Sequence, residues 1–341
     1  MLFRSDGGDF YAKPSLSNAY GQKRSPSQLV STPAAAMAQS QQVTLLAGHR
    51  VQALNPGQRT LTVLTPDGTP QSLEYNQLVL ATGADPIRLP LQGDAAADVR
   101  SINNLDDFKA FHSALGIAPD AEAGAATKTV LIMGAGLIGC EFANDLLQAG
   151  VQVHVVDPSD RPLSLLIPAE AGEQLRQALQ DQGVQWHFHA TVQSVNATVG
   201  SGYLAQLSDG SQVKADLVLS AVGLRPNIAL AQAAGLKCDR GIVVNAELQT
   251  SAPSVYALGD CAQYASAAHR TLPYVMPIMN AAKALAATLA GTPTALVFPL
   301  MPVSVKTPAL PVVVAAPDPA LAGTWHSVAG ESLWQFVDSA G

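Results

Sequence analysis

Residues 128–157 read KTVLIMGAGLIGCEFANDLLQAGVQVHVVD, and no other stretch restricts the fold so tightly. The apolar run TVLIM fits a buried strand. It enters the turn Gly134-Ala135-Gly136-Leu137-Ile138-Gly139, an apolar helical pattern follows, and a second apolar run closes on Asp157. A glycine pattern alone says little. Between a strand and a helix, with an acidic residue roughly 20 positions on, it specifies a dinucleotide-binding βαβ unit. Gly134 serves the tight turn, Gly136 leaves room for a pyrophosphate beside the backbone, and Gly139 lets the helix pack close to the strand. The helix N-terminus offers amide donors and partial positive charge to the phosphates. Asp157 is expected to accept from the ribose hydroxyls and to repel a 2′-phosphate, which favours NAD over NADP. Arg161 is the residue that would favour the phosphate if it points inward. The plainer alternative is a turn of this shape holding another nucleotide or none.

The alternation continues through the helical EAGEQLRQALQDQG and the strand VQWHFHA, then through a hairpin region ending in a buried strand before Gly223. Strands alternating with helices imply a parallel sheet. Upstream, residues 1–42 are polar, rich in Ser, Pro and Ala, and show little periodicity. Val43–Leu54 is apolar enough for a buried strand. TLTVLT and QSLEY predict a hairpin across Pro66-Asp67-Gly68. QLVLATGADP (77–86) reads as a strand entering a glycine turn. A helix is predicted over Leu105–Leu115 with Asn104 as N-cap, and Ala123–Thr127 reads as a linker. Short strands are expected near 241–244 and 255–258, then a helix from about Pro277 to Leu289. From Thr292 the chain is proline-punctuated β.

Composition removes several functions. Hydrophobic residues make up 48% and mean hydropathy is +0.18, so a large core is available. Charged residues are only 13% with a net charge of −7, which argues against a general nucleic-acid binder. No apolar run reaches the roughly 18 residues of a membrane span, the N-terminus carries no apolar signal segment, and three cysteines do not make a secreted disulfide framework. A cytoplasmic enzyme is the expectation. His187 and His189 alternate on a strand but lack an evident third metal ligand, so no metal site is expected. Asp106-Asp107 reads as a solvated helix start.

A second constellation is Tyr256-Ala257-Leu258-Gly259-Asp260. A short strand delivers a carboxylate at its carboxyl end, where ligands of open parallel sheets bind and where a polyol chain can be held. The bland alternative is an aspartate capping the next turn. Taken in order, Ala81-Thr82-Gly83, the central dinucleotide unit and the Asp260 motif resemble the two-dinucleotide-domain flavoprotein reductases of the pyridine nucleotide-disulfide oxidoreductase type. The resemblance is strongest to the bacterial rubredoxin–NAD reductases. It is carried by YAKPSLS (11–17), GLIGCEFANDL (136–146), SAVGLRP (220–226), YVMPIM (274–279) and MPVSVKTP (301–308).

The resemblance implies an α/β fold with two Rossmann-like dinucleotide-binding domains, one for FAD and one for NAD, plus a partial C-terminal β-rich domain. The expected division is 1–103 with 239–292 for FAD, 104–238 for NAD, and 293–341 for the C-terminal piece. It implies that Asp260 binds the ribityl chain of FAD, and that Thr82, Gly83, Gly259, Gly223 and Pro14 are further cofactor-binding positions. Lys13 and Lys306 fall in segments that border the flavin in the family, where a cation stabilises the reduced ring. For each the ordinary alternative is a solvated surface lysine. Glu141 either positions the nicotinamide or complements the helix N-terminus. No cysteine lies where the disulfide-reducing members carry their redox pair, so electrons are expected to leave the flavin directly, with Cys140 and Cys261 as small buried residues.

The implied activity is transfer from NADH through FAD to rubredoxin or a similar small one-electron carrier. The alternatives are ferredoxin or another acceptor. Because the chain is net acidic, docking of such a carrier is expected to use a local basic patch, with Lys13, Lys23, Arg24 and Lys306 as candidates. Nothing before Tyr11 resembles the family's first βαβ unit and the family continues beyond VDSAG, so both ends are expected to be truncated. A further alternative is therefore an NAD-binding remnant without FAD and without activity.

Overall fold

The structure, a computed structural model, describes residues 1–117, 128–318 and 321–339. The linker expected at 123–127 lies outside the described residues. The chain forms two compact units, each gathered from separate stretches: Met1–Tyr11, Val30–Ile87 and Leu224–Met301 in the first, and Ala12–Leu29, Arg88–Gly223 and Pro302–Gly341 in the second.

The second unit is built on the expected parallel sheet. Its strands lie in the order Gln185–Phe188, Gln152–Asp157, Thr129–Met133, Leu217–Ser220, with Val130 opposite both Val153 and Leu217. Val130, Leu131 and Ile132 are all fully buried. A strand covered on both faces gains from apolar residues at every position, hence a continuous run rather than alternation. Helices Leu137–Gln148 and Ala169–Asp181 make the crossovers. A meander of Val192–Ala197, Tyr203–Leu207 and Gln212–Ala215 packs Val195, Ala205 and Val213 against Leu131 and Met133.

Helix Leu105–Leu115 forms as the sequence predicts. The Asn104 side chain accepts from the Asp107 amide at 2.8 Å, Gly116 closes the helix at φ 67°, and Phe108, Phe111 and Leu115 are buried. Asp106 pairs with Lys109 and Asp107 accepts from the Asn103 amide, so these two carboxylates are a helix start. The C-terminal stretch gives two antiparallel pairs, Val303–Val305 with Val312–Val314 and Gly323–Ser327 with Trp334–Asp338.

In the first unit the hairpin Thr60–Leu64 and Pro70–Glu74 is present, with Leu64 opposite Pro70. The single buried strand expected over Val43–Leu54 is not. Gly48 takes φ +67° and splits it into Leu45–Leu46, parallel to Leu2–Phe3, and Arg50–Asn55, in which only Leu54 is buried. Residues 1–42, in which little periodicity was read, carry short 3-10 turns at Lys13–Asn18 and Pro26–Leu29 and a helix at Ala34–Ser40. Three-residue turns leave no 3.6-residue signature to read. The core gathers Leu80, Ile242, Val255, Tyr264 and Leu285. The late helix is Val275–Leu289, with Pro277 in its first turn, where no amide donor is needed.

The chain passes between the units at 11/12, 29/30, 87/88, 223/224 and 301/302. Arg88 Nη1 donates to Val99 O at 3.0 Å and the Arg100 amide donates to Val218 O, tying 88–100 to the parallel sheet. Leu224–Pro226 instead pairs with Ala84–Pro86.

Candidate active site

The glycine turn of the second unit has the backbone its sequence demands. Gly134 sits at φ +103°, where a Cβ would also meet Ala221 O at 2.8 Å. A Cβ on Gly139 would stand 1.9 Å from Gly134 O, so the helix and the turn touch. A Cβ on Gly136 would meet nothing within 4 Å, and the residue is exposed. That open ledge at the N-terminus of Leu137–Gln148 suits a pyrophosphate. Asp157 does more than end its strand. Its Oδ2 accepts from the Ala135 amide at 2.6 Å and its Oδ1 from the Ser159 amide at 2.8 Å, which braces the turn. Each oxygen keeps a second acceptor direction for a ribose hydroxyl. Arg161 pairs with Asp160 at 2.7 Å and donates to Ser164 O, so its charge is engaged within its own loop. Gly223 lies at φ +108° beyond the sheet's last strand.

On the same helix, Glu141 is completely buried. It accepts from Ser17 Oγ at 2.6 Å and from the Lys306 amide at 3.0 Å, and it forms an ion pair with the Lys306 ammonium. Glu141 thereby fixes the position of Lys306. Lys13 is exposed and donates to Asn103 Oδ1 at 2.7 Å; Pro14 follows it on the surface. The sequence reading missed Asn144 and Asp145, one turn further along and each 2% exposed. Asn144 Oδ1 accepts from the Ala309 amide at 3.1 Å. Asp145 accepts from the amides of Tyr20 at 3.1 Å and Gly21 at 2.7 Å. Burial drives its carboxyl up to about 6 against those two hydrogen bonds. The available signal was spacing: 141, 144 and 145 fall on one helix face.

In the first unit, strands Leu78–Leu80 and Val255–Ala257 pair in parallel, and the Leu258 amide donates to Leu80 O at 3.1 Å. Ala81-Thr82-Gly83 and Leu258-Gly259-Asp260 therefore leave the same end of the same ladder. Thr82 Oγ1 donates to Asn227 O at 2.6 Å. Gly83 and Gly259 both take positive φ; a Cβ on Gly83 would meet nothing within 4 Å, and one on Gly259 would only touch Ile278 Cγ1 at 4.0 Å. The Tyr264 hydroxyl accepts from the Gly259 amide at 2.8 Å, a brace the sequence did not reveal. Asp260 is half-buried at the mouth of this ledge, an arrangement that fits the polyol-and-phosphate part of a flavin nucleotide.

Cys140 and Cys261 are buried. All three cysteines are free; burial pushes the thiols of Cys140 and Cys261 up, and Cys140 donates to Ala135 O inside the glycine turn. His187 bonds His154 on the neighbouring strand at 3.0 Å, while His189 leaves the strand at φ +54°, so the two do not share a face as expected. Among the described residues no group of three potential ligands is placed to hold a metal, and no helix is long and apolar enough to cross a membrane.

The profile of the family described as pyridine nucleotide-disulphide oxidoreductase matches residues 1–286, and the chain belongs to that family of oxidoreductases. A second profile, described as a rubredoxin binding C-terminal domain, matches residues 295–340. The chain is 42% identical over 326 residues to a rubredoxin-NAD(+) reductase of Alcanivorax borkumensis, covering 96% of this chain and 81% of that protein. It is 43% identical to a rubredoxin-NAD(+) reductase of Acinetobacter baylyi, covering 92% of this chain and 77% of that protein. The crystal structure of the ferredoxin reductase for the CYP199A2 system from Rhodopseudomonas palustris superposes with a TM-score of 0.75 at 29% identity, covering 87% of this chain and 71% of that one.

Proposed function

We propose that the protein is an NADH-dependent flavoprotein reductase that delivers electrons to rubredoxin or a similar small one-electron carrier. One observation carries this reading. A complete dinucleotide turn with its acidic partner occurs in the same chain as a match to a rubredoxin-binding domain. NAD is held by Gly134, Gly136, Gly139 and Asp157, and the carboxylate of Asp157 disfavours a 2′-phosphate. FAD is held by Thr82, Gly83, Gly259 and Asp260, with Pro14 and Gly223 as further backbone contacts. When bound, the flavin couples two-electron oxidation of NADH to one-electron reduction of the carrier.

The chain's own residues supply position and charge. Lys306 presents an ammonium whose place is set by buried Glu141, itself steadied by Ser17. Lys13 is the second candidate cation, oriented by Asn103. The absence of a cysteine pair suits direct exit of electrons to a protein acceptor. Lys13, Lys23, Arg24 and Lys306 supply the local positive charge for docking in an otherwise acidic protein.

The test is NADH oxidation by the FAD-loaded protein with rubredoxin, ferredoxin or oxygen as acceptor, at one enzyme concentration. Faster turnover with rubredoxin than with the other two is expected. Ferredoxin outperforming rubredoxin would favour the second reading, to which the likeness to a ferredoxin reductase lends weight.

A further inference from the structure

Helix Leu137–Gln148 carries three buried polar side chains on one face, Glu141, Asn144 and Asp145. None of them serves its own helix. Glu141 takes Ser17 and Lys306, Asn144 takes the Ala309 amide, and Asp145 takes the amides of Tyr20 and Gly21. The stripe therefore holds two separate chain segments, around 17–21 and 306–309. These are the continuations of the segments bearing the two candidate cations, Lys13 and Lys306.

We propose that Asp145, with Asn144 beside it, is a positioning residue for electron transfer: it grips the backbone after the Lys13 turn, as Asn144 grips the backbone after Lys306, and so fixes both lysines against the dinucleotide helix. This rests on the NADH-to-carrier reading above and deepens it.

The geometry asks for a carboxylate at this place. Two amides arrive at two different oxygens, and an ionised carboxyl offers a strong acceptor to each; an amide side chain would offer one acceptor and one donor. The approach is close as well. A Cβ on Gly21 would stand 3.2 Å from Asp145 Oδ1. Burying an acid that only filled space would cost stability without return, since an apolar side chain of similar size would serve. The groups facing Asp145 are Tyr20 from the gripped segment, which bonds His112 through its hydroxyl at 3.2 Å, Lys306 from the C-terminal segment, and Glu141 one turn back on its own helix. Lys306 favours the ionised form, yet burial dominates and raises the carboxyl to about 6. Protonation turns one of the two oxygens into a hydroxyl, a weaker and uncharged acceptor, so the grip on the two amides weakens in mildly acidic solution.

The experiment is Asp145→Asn in the full chain. Amide hydrogen exchange, read by mass spectrometry in the absence of cofactors, is expected to quicken about tenfold or more in the peptide spanning Tyr20 and Gly21, with the Leu137–Gln148 helix unchanged. With FAD bound, kcat for NADH-driven rubredoxin reduction is expected to fall about tenfold while KM for NADH moves less than about twofold, because the glycine turn is untouched. The wild-type kcat should decline as pH drops through about 6, and that decline should be missing in Asp145→Asn. Wild-type exchange at Tyr20 and Gly21, or an unaltered pH profile in the variant, overturns the proposal.

If Asp145→Asn does not fold, two other measurements decide. Asn144→Ala is expected to quicken exchange around Ala309 and to lower kcat; no change in either overturns the proposal, as does a wild-type kcat that stays flat on acidification. Ferricyanide run beside rubredoxin separates the two levels of inference. A wild-type protein that reduces ferricyanide but not rubredoxin refutes the carrier assignment alone, and the exchange and pH readouts still judge Asp145.

Discussion

Gly136 and Gly139 lie three residues apart in one turn, yet adding a methyl group to each should have opposite signatures. At Gly136 the backbone is extended, with φ −74° and ψ −172°, and a new Cβ meets nothing within 4 Å. Gly136→Ala should therefore cost less than about 1 kcal/mol of stability, the loss of a helix-capping glycine. Its methyl, however, fills the ledge where a pyrophosphate must approach. A displacement worth about 1.4–2.8 kcal/mol would raise the NADH dissociation constant ten- to a hundredfold. At Gly139 the same methyl would lie 1.9 Å from Gly134 O, a backbone atom at the tip of the turn. The helix must lift away, at a cost of about 3 kcal/mol, or some 6–12 °C in melting temperature for a unit of this size. Fluorescence titration with NADH and thermal melts on the same preparations decide the matter. If Gly136→Ala binds NADH as tightly as wild type, the ledge is not where the dinucleotide lies and the site has been misread.

Asp157→Ala should raise the KM for NADH about tenfold and narrow the margin over NADPH, since both the ribose acceptor and the like charge are removed; initial rates with the two nucleotides test this. Asp260→Ala should leave the protein colourless after gel filtration with added FAD, and a retained flavin spectrum would contradict the role given to that carboxylate. Stability should carry the mark of Asp145. Burial raises its carboxyl to about 6 from the ordinary 3.8, so the cost of burying its charge is absent below about 4 and grows as pH rises through 6, lowering wild-type stability by on the order of 3 kcal/mol even though the ionised form receives both backbone amides. The unfolding free energy of Asp145→Asn minus that of wild type should climb across that window in denaturant titrations; a constant difference would speak against it.

The dinucleotide half was legible because its signals are local. A continuous apolar strand, three glycines with distinct duties and an acid at the next strand's end each leave a mark within thirty residues or so. The Asn104 cap and the Pro66-Asp67-Gly68 hairpin were readable for the same reason. What escaped depends on partners far away in sequence. Glu141 on its helix could be read two ways, and only the fold shows Ser17 and Lys306 closing on it. Asp145 drew no reading at all, because the amides it receives come from 124 and 125 positions earlier. Val43–Leu54 misled through composition: the run is apolar, but Gly48 turns the chain in its middle. His187 and His189 were read as sharing one side of a strand, but the strand ends at Phe188 and His189 turns away, while His187 stays in it and bonds His154.

The way the chain shuttles between its two units has a temporal consequence. Leu78–Leu80 leaves the ribosome long before Val255–Ala257, the strand that completes its ladder. The gap of roughly 175 residues corresponds to some ten to thirty seconds of synthesis. Throughout that interval a hydrophobic edge waits uncovered while the parallel sheet of the other unit, whose four strands emerge over a shorter span, can already close. Nascent chains should therefore acquire the nicotinamide-type fold first and need protection for the flavin-type fold, so lesions in Val255–Ala257 should show as aggregation during expression before they show as altered kinetics.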